Sequence, residues 1–277
     1  MTTFRKNFRT TIFSQMTNIL LTLSYDGTDF CGWQRQDKSD GGSPVRTVQG
    51  EVELAIEKMF KKHINLYGSG RTDSGVHARG QAANFESPVD SIPEENYVRA
   101  LNGFLPQDIR IMTAKKVSKQ FNSRFDATSR TYRYFIHTGT IPPFASETRY
   151  VWYVPKKPNL DVLNDMCSCL HGEVDCATFS AAGDQSLSTK RYIEKASFFR
   201  DSKNENTIFF EIEANAFLWK MIRSLTGTFI QLEQKGKGKK EFAEILNSCE
   251  RKNALFTAPP TGLFLWEIKF DGVRRHA

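Results

Sequence analysis

The chain has 277 residues, 39% of them hydrophobic and 25% charged, an ordinary globular composition with length for a sizeable core and about two domains. Its 38 Lys and Arg against 31 Asp and Glu leave a net charge of +7, a surplus that suits a polyanionic partner without requiring one. The longest uncharged stretch, 10–25, is broken by Thr, Ser, Gln and Asn and falls short of the roughly 18 apolar residues of a membrane span, so no membrane association is expected.

Residues 1–16 carry Arg5, Lys6 and Arg9, with no acid before Asp26. They lack the apolar core of a secretory signal, so a short disordered basic arm is expected there. A weak organellar transit peptide and a start at Met16 are the alternatives. The apolar run 19–25 ends at Asp26-Gly27 and reads as a strand entering a turn. Thr47 precedes Val48, Val52, Ala55, Ile56, Met59 and Phe60, whose spacing marks one face of a helix with Thr47 as its N-cap. A short strand is predicted at 64–67, a glycine-rich loop at 68–80 and a strand at 81–86. A helix starting at Pro93 and running to about 105 follows, then a strand at 109–117. The order is β-α-β-β-α-β.

The polar stretch 118–126 is the expected connector. After it the pattern predicts a strand at 128–137, a helix at 160–170, and a hairpin of strands 192–200 and 207–214 around the polar turn 201–206. A helix at 217–232, an added helix at 240–249 and a strand at 263–270 complete the chain. The same order repeats, with inserts. Two ferredoxin-like (RRM-like) halves, 17–117 and 127–277, are therefore expected. The fold class is α+β, the halves joined into one mixed, mostly antiparallel sheet with helices packed on one face. Joining edge to edge would cover two exposed strands. Between the last two helices, Lys235, Lys237, Lys239 and Lys240 alternate with glycines. This reads as a solvated linker, or more sharply as a phosphate-contacting loop.

The five cysteines, Cys31, Cys167, Cys169, Cys176 and Cys249, are odd in number and follow no disulfide framework. That predicts a reducing, cytoplasmic setting. Cys167, Cys169, His171 and Cys176 are close in sequence, but a C-x-C pair is unusual for a closed zinc site and Cys167 falls in a predicted helix. No metal is expected.

The most informative stretch is Gly68-Ser69-Gly70-Arg71-Thr72-Asp73-Ser74-Gly75-Val76-His77-Ala78. Its glycines permit tight turns and close approach to a ligand. Gly70 and Gly75 have the phosphate-loop spacing, but Val76 and His77 stand where that motif needs Lys and Ser or Thr. Asp73 occupies the third glycine of the dinucleotide pattern, so neither nucleotide motif holds. What remains is one carboxylate beside Arg71, Thr72 and His77. Asp73 either closes an Asx-turn on its own backbone or is held for attack or proton abstraction. An Asp of ordinary pKa is ionised at neutral pH and needs no tuning for the second role. His77 reads equally as a donor to the loop, a packed side chain or a catalyst.

In context this loop resembles that of the tRNA pseudouridine synthase A (TruA) family, in Gly70-Arg71-Thr72-Asp73 and Gly75-Val76-His77-Ala78. The resemblance continues in colinear blocks: Tyr25-Asp26-Gly27-Thr28, Gly32-Trp33-Gln34, Thr47-Val48-Gln49, Ala100-Leu101-Asn102, Leu105-Pro106, Phe121 with Arg124, and Arg130, Tyr132 and Tyr134. Phe217-Leu218, Met221-Ile222-Arg223 and Gly227, then Ala258-Pro259 and Gly262-Leu263, extend it to about residue 270. The chain departs from the family in a longer 37–46 turn, in Val174-Asp175-Cys176 and before Arg191.

The resemblance implies isomerisation of uridine to pseudouridine at positions 38, 39 and 40 of the tRNA anticodon stem-loop. It implies no cofactor, since no atoms or electrons are exchanged. It implies a homodimer with tRNA lying across both subunits. Asp73 matches the catalytic aspartate, attacking C1′ or removing the C2′ proton; a carboxylate also stabilises charge at C1′ during glycosidic cleavage. Tyr132 matches the active-site tyrosine that stacks on the flipped uracil and is placed to assist loss of the C5 proton. Without the resemblance, Tyr132 and Tyr134 are simply one face of a strand. Arg223 matches the basic partner of Asp73. It stands among Leu218, Met221, Ile222 and Leu225, where a charge needs a partner, or else on the exposed side of the helix beside Lys220. Arg71 and Arg124, with Arg130, are candidate phosphate or carboxylate contacts. The site is then expected in the cleft between the halves.

Rival readings are weaker. An RNA-binding protein of two RRM-like halves would carry a Lys/Arg-Gly-Phe-Gly-Phe run, which is missing. A glycoside hydrolase would need a second carboxylate, and none stands out. A relative acting on other uridines or another RNA is the closest alternative.

Overall fold

The computed structural model describes residues 16–36 and 45–275. The expected basic arm, apart from Met16, and most of the 37–46 turn lie outside them. Ten strands form one sheet. Along its main path they run β4 (Ile109–Val117), β1 (Thr17–Tyr25), β3 (His77–Ser87), β10 (Leu263–Lys269), β5 (Ser129–Thr138), β9 (Thr207–Ala214), β8 (Lys190–Arg200) and β7 (Gly172–Asp175). Two short strands lie off this path: β2 (Tyr67–Gly68) on β3 and β6 (Trp152–Val154) on β5. All pairings are antiparallel except β10 with β3 and β6 with β5. β4-β1-β3-β2 and β10-β5-β9-β8 have the same spatial permutation, that of a ferredoxin-like unit. The α+β class with two such halves in one sheet is what the element order predicted.

Alternation along the strands places the helices. In β1, Ile19, Leu21, Leu23 and Tyr25 point into the core, as do Tyr132, Tyr134 and Ile136 in β5 and Ile208, Phe210 and Ile212 in β9. The helical layer covers this face: α1 (Val48–Phe60), α2 (Glu94–Phe104), α3 (Leu160–Cys167), α4 (Met221–Gln234) and α5 (Lys239–Asn247). Thr47 caps α1 by accepting the Gly50 amide at 3.3 Å, a bond worth about 1 kcal/mol. Under α4 an aromatic stack joins Phe229 to Phe242 at 4.5 Å and Phe242 to Phe179 at 5.7 Å, with Phe210 at 5.5 Å from Phe229. One apolar cluster runs through both halves.

Several boundaries differ from the sequence reading. The predicted loop at 68–80 gives way to strand at His77, because His77 and Ala78 gain β10 as a partner, which local pattern cannot reveal. The predicted strand at 64–67 shrinks to Tyr67–Gly68. The predicted helix at 217–232 begins only at Met221, after Lys220 in the left-handed region with φ 58°. β6 and β7 were missed because three or four residues carry no readable alternation. The Gly-Lys segment is the exposed turn between α4 and α5. Among the described residues, no helix is long and apolar enough to cross a membrane. Cys167 and Cys176 are buried thiols, and no group of three His, Cys, Asp or Glu converges among the described residues.

Gly227 lets α4 lie directly on the 256–258 segment, since a Cβ there would stand 1.9 Å from the Phe256 carbonyl oxygen. Gly227→Ala is therefore expected to destabilise the fold by at least about 2 kcal/mol, read as a lower urea midpoint at unchanged slope.

Candidate active site

The loop 69–76 between β2 and β3 is shaped by the segment behind it. Thr72 O accepts the Trp33 amide at 3.1 Å, and Phe30 O accepts the Gly75 amide at 3.3 Å and the Ser74 hydroxyl at 3.1 Å. Gly32, at φ +90°, makes this approach possible: a Cβ would sit 2.7 Å from Thr72 O. The Tyr25 and Thr72 hydroxyls bond at 2.8 Å. At the loop's start, buried Gln81 donates to Gly70 O at 2.8 Å. Most of these contacts are to the loop backbone, and the Thr72 and Ser74 hydroxyls add two from its own side chains.

Asp73 thereby points at the other half. Its Oδ2 accepts Arg223 Nη1 at 3.1 Å, and its Oδ1 accepts the Trp219 indole Nε1 at 2.9 Å. The carboxylate therefore bonds across the seam between halves instead of closing the alternative Asx-turn. Arg223, in the first turn of α4, also donates through Nε to Ala258 O at 2.8 Å. Its side chain is only 13% exposed, so the solvent-facing alternative fails. A cation near a helix N-terminus is opposed by the helix dipole; here two acceptors hold it.

Tyr132 projects from β5 toward the start of this loop, near enough for the Asp73 charge to act on its phenol. It is 7% exposed, and its ring packs edge-on to Phe217 at 5.1 Å. A Cβ on Gly70 would be 3.8 Å from its hydroxyl. Burial, reinforced by the Asp73 charge and countered by Arg130, pushes its phenol well above the ordinary range. It is protonated at physiological pH. Tyr134 is wholly buried and donates to Pro259 O at 2.6 Å, as a packed strand residue would.

The remaining arginines separate by environment. Arg130 directs its donors to Asn215 O at 2.7 Å, Arg124 O at 3.0 Å and Ser69 O at 3.2 Å, so it braces β5 against the loop. Arg71 and Arg124 are exposed, and Arg71 makes no ion pair among the described residues. Trp219 and Asp184 escaped the sequence reading. Trp219 stands four residues before Arg223, which in the predicted helix 217–232 would put both on one face; that was the available signal, although α4 starts only at Met221. Asp184, whose carboxylate accepts the Trp219 backbone amide, had no signal at all.

His77 is fully buried, accepts the Gly27 amide on Nδ1 at 3.0 Å, bonds Arg149 O through Nε2 at 2.9 Å and stacks on Phe264 at 4.6 Å. It reads as a packed ring that ties the loop's exit to β10. Burial lowers its pKa, against the opposing pull of Asp26, so it folds neutral.

The tRNA pseudouridine synthase family model matches residues 22–126 and 166–271. A protein named tRNA pseudouridine synthase A from Treponema denticola is 54% identical over 254 residues, 91% of this chain and 92% of that one. One of the same name from Treponema pallidum is 47% identical, covering 84% and 82%. Another from Brachyspira hyodysenteriae is 39% identical, covering 90% and 96%.

The neutral His77 makes stability pH-dependent. The unfolded imidazole, near pKa 6.5, takes up a proton that the folded one resists, so stability is full above about pH 6.5 and falls below it. Chemical denaturation between pH 7 and 5.5 is expected to show this decline, at most about 1.4 kcal/mol per pH unit for one proton. His77→Asn is expected to flatten it.

Proposed function

The chain belongs to the tRNA pseudouridine synthase family, and from that membership we propose that it isomerises uridines 38, 39 and 40 of the tRNA anticodon stem-loop, as a cytoplasmic homodimer. The observation that carries the catalytic part is the Asp73 carboxylate, 23% exposed and bonded on both oxygens by residues of the opposite half. The net charge of +7 suits a tRNA partner.

In this reading the N1–C1′ bond breaks, the uracil turns, and C5 bonds C1′. The C5 proton leaves and N1 gains one, so no atom or electron is exchanged with another substrate. Asp73 acts at the sugar, as nucleophile on C1′ or as base at C2′. Arg223 pairs with that carboxylate at 3.1 Å and orients it. Tyr132 offers an aromatic face to the extruded uracil and a protonated hydroxyl beside it. Arg71 and Arg124, whose exposure supports the reading, contact backbone phosphates in it. Arg130, committed to three carbonyls, serves the scaffold.

The test compares wild type with Asp73→Asn on an unmodified tRNA carrying uridines at 38, 39 and 40, mapping pseudouridine by position. The expected outcome is product at those positions, a loss of more than about a thousandfold in the variant, and tRNA affinity within about twofold. Product only at other uridines would reassign the substrate position, and equal activity of the two proteins would remove Asp73 from the mechanism.

A further inference from the structure

An indole that is 45% exposed at the mouth of a site is held more firmly than its surroundings require. Trp219 Nε1 reaches Asp73 Oδ1 at 2.9 Å, while Arg223 Nη1 reaches Oδ2 at 3.1 Å. An aspartate's terminal torsion is broad and nearly twofold, so a donor on one oxygen leaves the carboxylate plane free to swing. A donor on each oxygen fixes the plane. Both donors come from one stretch, four residues apart, and both are themselves anchored: Arg223 by Ala258 O at 2.8 Å, and Trp219 through its backbone.

The Trp219 amide donates to the Asp184 carboxylate, and its carbonyl accepts the Ala181 amide at 2.9 Å. Asp184 is in turn bonded by the Ser186 amide at 2.8 Å. Burial tends to raise the Asp184 pKa, but hydrogen bonds from Ser186, the Trp219 amide and Ser180 outweigh it and keep it below the ordinary range. The clamp is therefore ionised at neutral pH. The Lys220 ammonium lies 4.6 Å over the indole ring. The turn 181–186 thus holds Trp219, and Trp219 holds Asp73.

We propose that Trp219 is a positioning residue for the isomerisation: its indole N–H sets the orientation of the Asp73 carboxylate toward the ribose, and the 181–186 turn keeps the indole there. The proposal rests on the synthase reading above. A carboxylate oxygen has more than one acceptor direction, so the reacting oxygen can face the sugar while both donors remain bonded. The function belongs to the N–H and not to the aromatic body, which makes it separable by substitution.

The experiment measures kcat and KM for pseudouridine formation on tRNA, with tRNA Kd and Tm, for wild type, Trp219→Phe, Trp219→His, Asp184→Asn and the double variant Trp219→Phe/Asp184→Asn. Trp219→Phe is expected to lower kcat about 10- to 100-fold, in line with small misplacements of a reacting group, with KM, Kd and Tm little changed. Trp219→His returns an N–H donor and is expected to recover much of the loss. Asp184→Asn is expected to lower kcat in the wild-type background but to add nothing to Trp219→Phe, the signature of residues acting in series. A Trp219→Phe kcat within twofold of wild type overturns the inference. So does a loss that follows weaker tRNA binding or a lower Tm, or one that His does not relieve. Absence of product from wild type overturns the synthase reading itself, and the positioning role with it.

Discussion

The short parallel pairing of β3 with β10 is the constraint on which the site depends. Only His77 with Phe264 and Ala78 with Leu265 are in register there, and the His77 and Phe264 rings stack at 4.6 Å. Because β10 is the last strand of the second half, this pairing fastens that half to the strand that leaves the Asp73 loop. Asp73 lies four residues before His77, and Arg223 lies in the first turn of α4. A slip of one residue in this register would turn the paired side chains to opposite faces of the sheet. It would separate the carboxylate from the guanidinium that now lies 3.1 Å away.

The loop is fixed largely through main-chain bonds, and that choice has a consequence. Backbone groups of 69–76 are taken up by Trp33, Phe30, Gln81, Ala82 and Arg130, leaving the side chains of Arg71 and Asp73 free for other work. A site held by its scaffold need not spend its reactive groups on holding itself. The second half contributes the opposite arrangement: side chains of Trp219 and Arg223 reach across, each tethered at its own base. Most of the rigidity comes from the first half, with Arg130 added from the second, and the electrostatic complement comes from the second. The Tyr132 phenol is kept protonated mainly by burial.

Legibility followed the range of the forces involved. The α1 face of Val48, Val52, Ala55 and Ile56 and its Thr47 cap are set by neighbours three or four residues away, and the pattern showed them. β4 and β9 were readable at both ends because turn residues bound them. The start of β3 was not, since His-Ala-Arg-Gly has no strand pattern until β10 lies beside it. Nor was the start of α4: Phe217 to Lys220 look helical in sequence, but the Trp219 carbonyl accepts the Ala181 amide and the Trp219 amide donates to Asp184, and these bonds hold them in another shape.

By itself the sequence determined the order of the repeated β-α-β-β-α-β elements, though not the added strands β6 and β7, and the family, because helix faces, caps and colinear motif blocks are local or additive signals. It singled out Asp73, Tyr132 and Arg223 by their match to motif positions. Only the tertiary structure decided that Asp73 and Arg223 meet, that Arg130 is a brace, that His77 is packed neutral, and that Trp219 shares the carboxylate. Those facts depend on which strand lies beside which, and a sheet assembled across some 190 residues of intervening chain fixes that only when it closes.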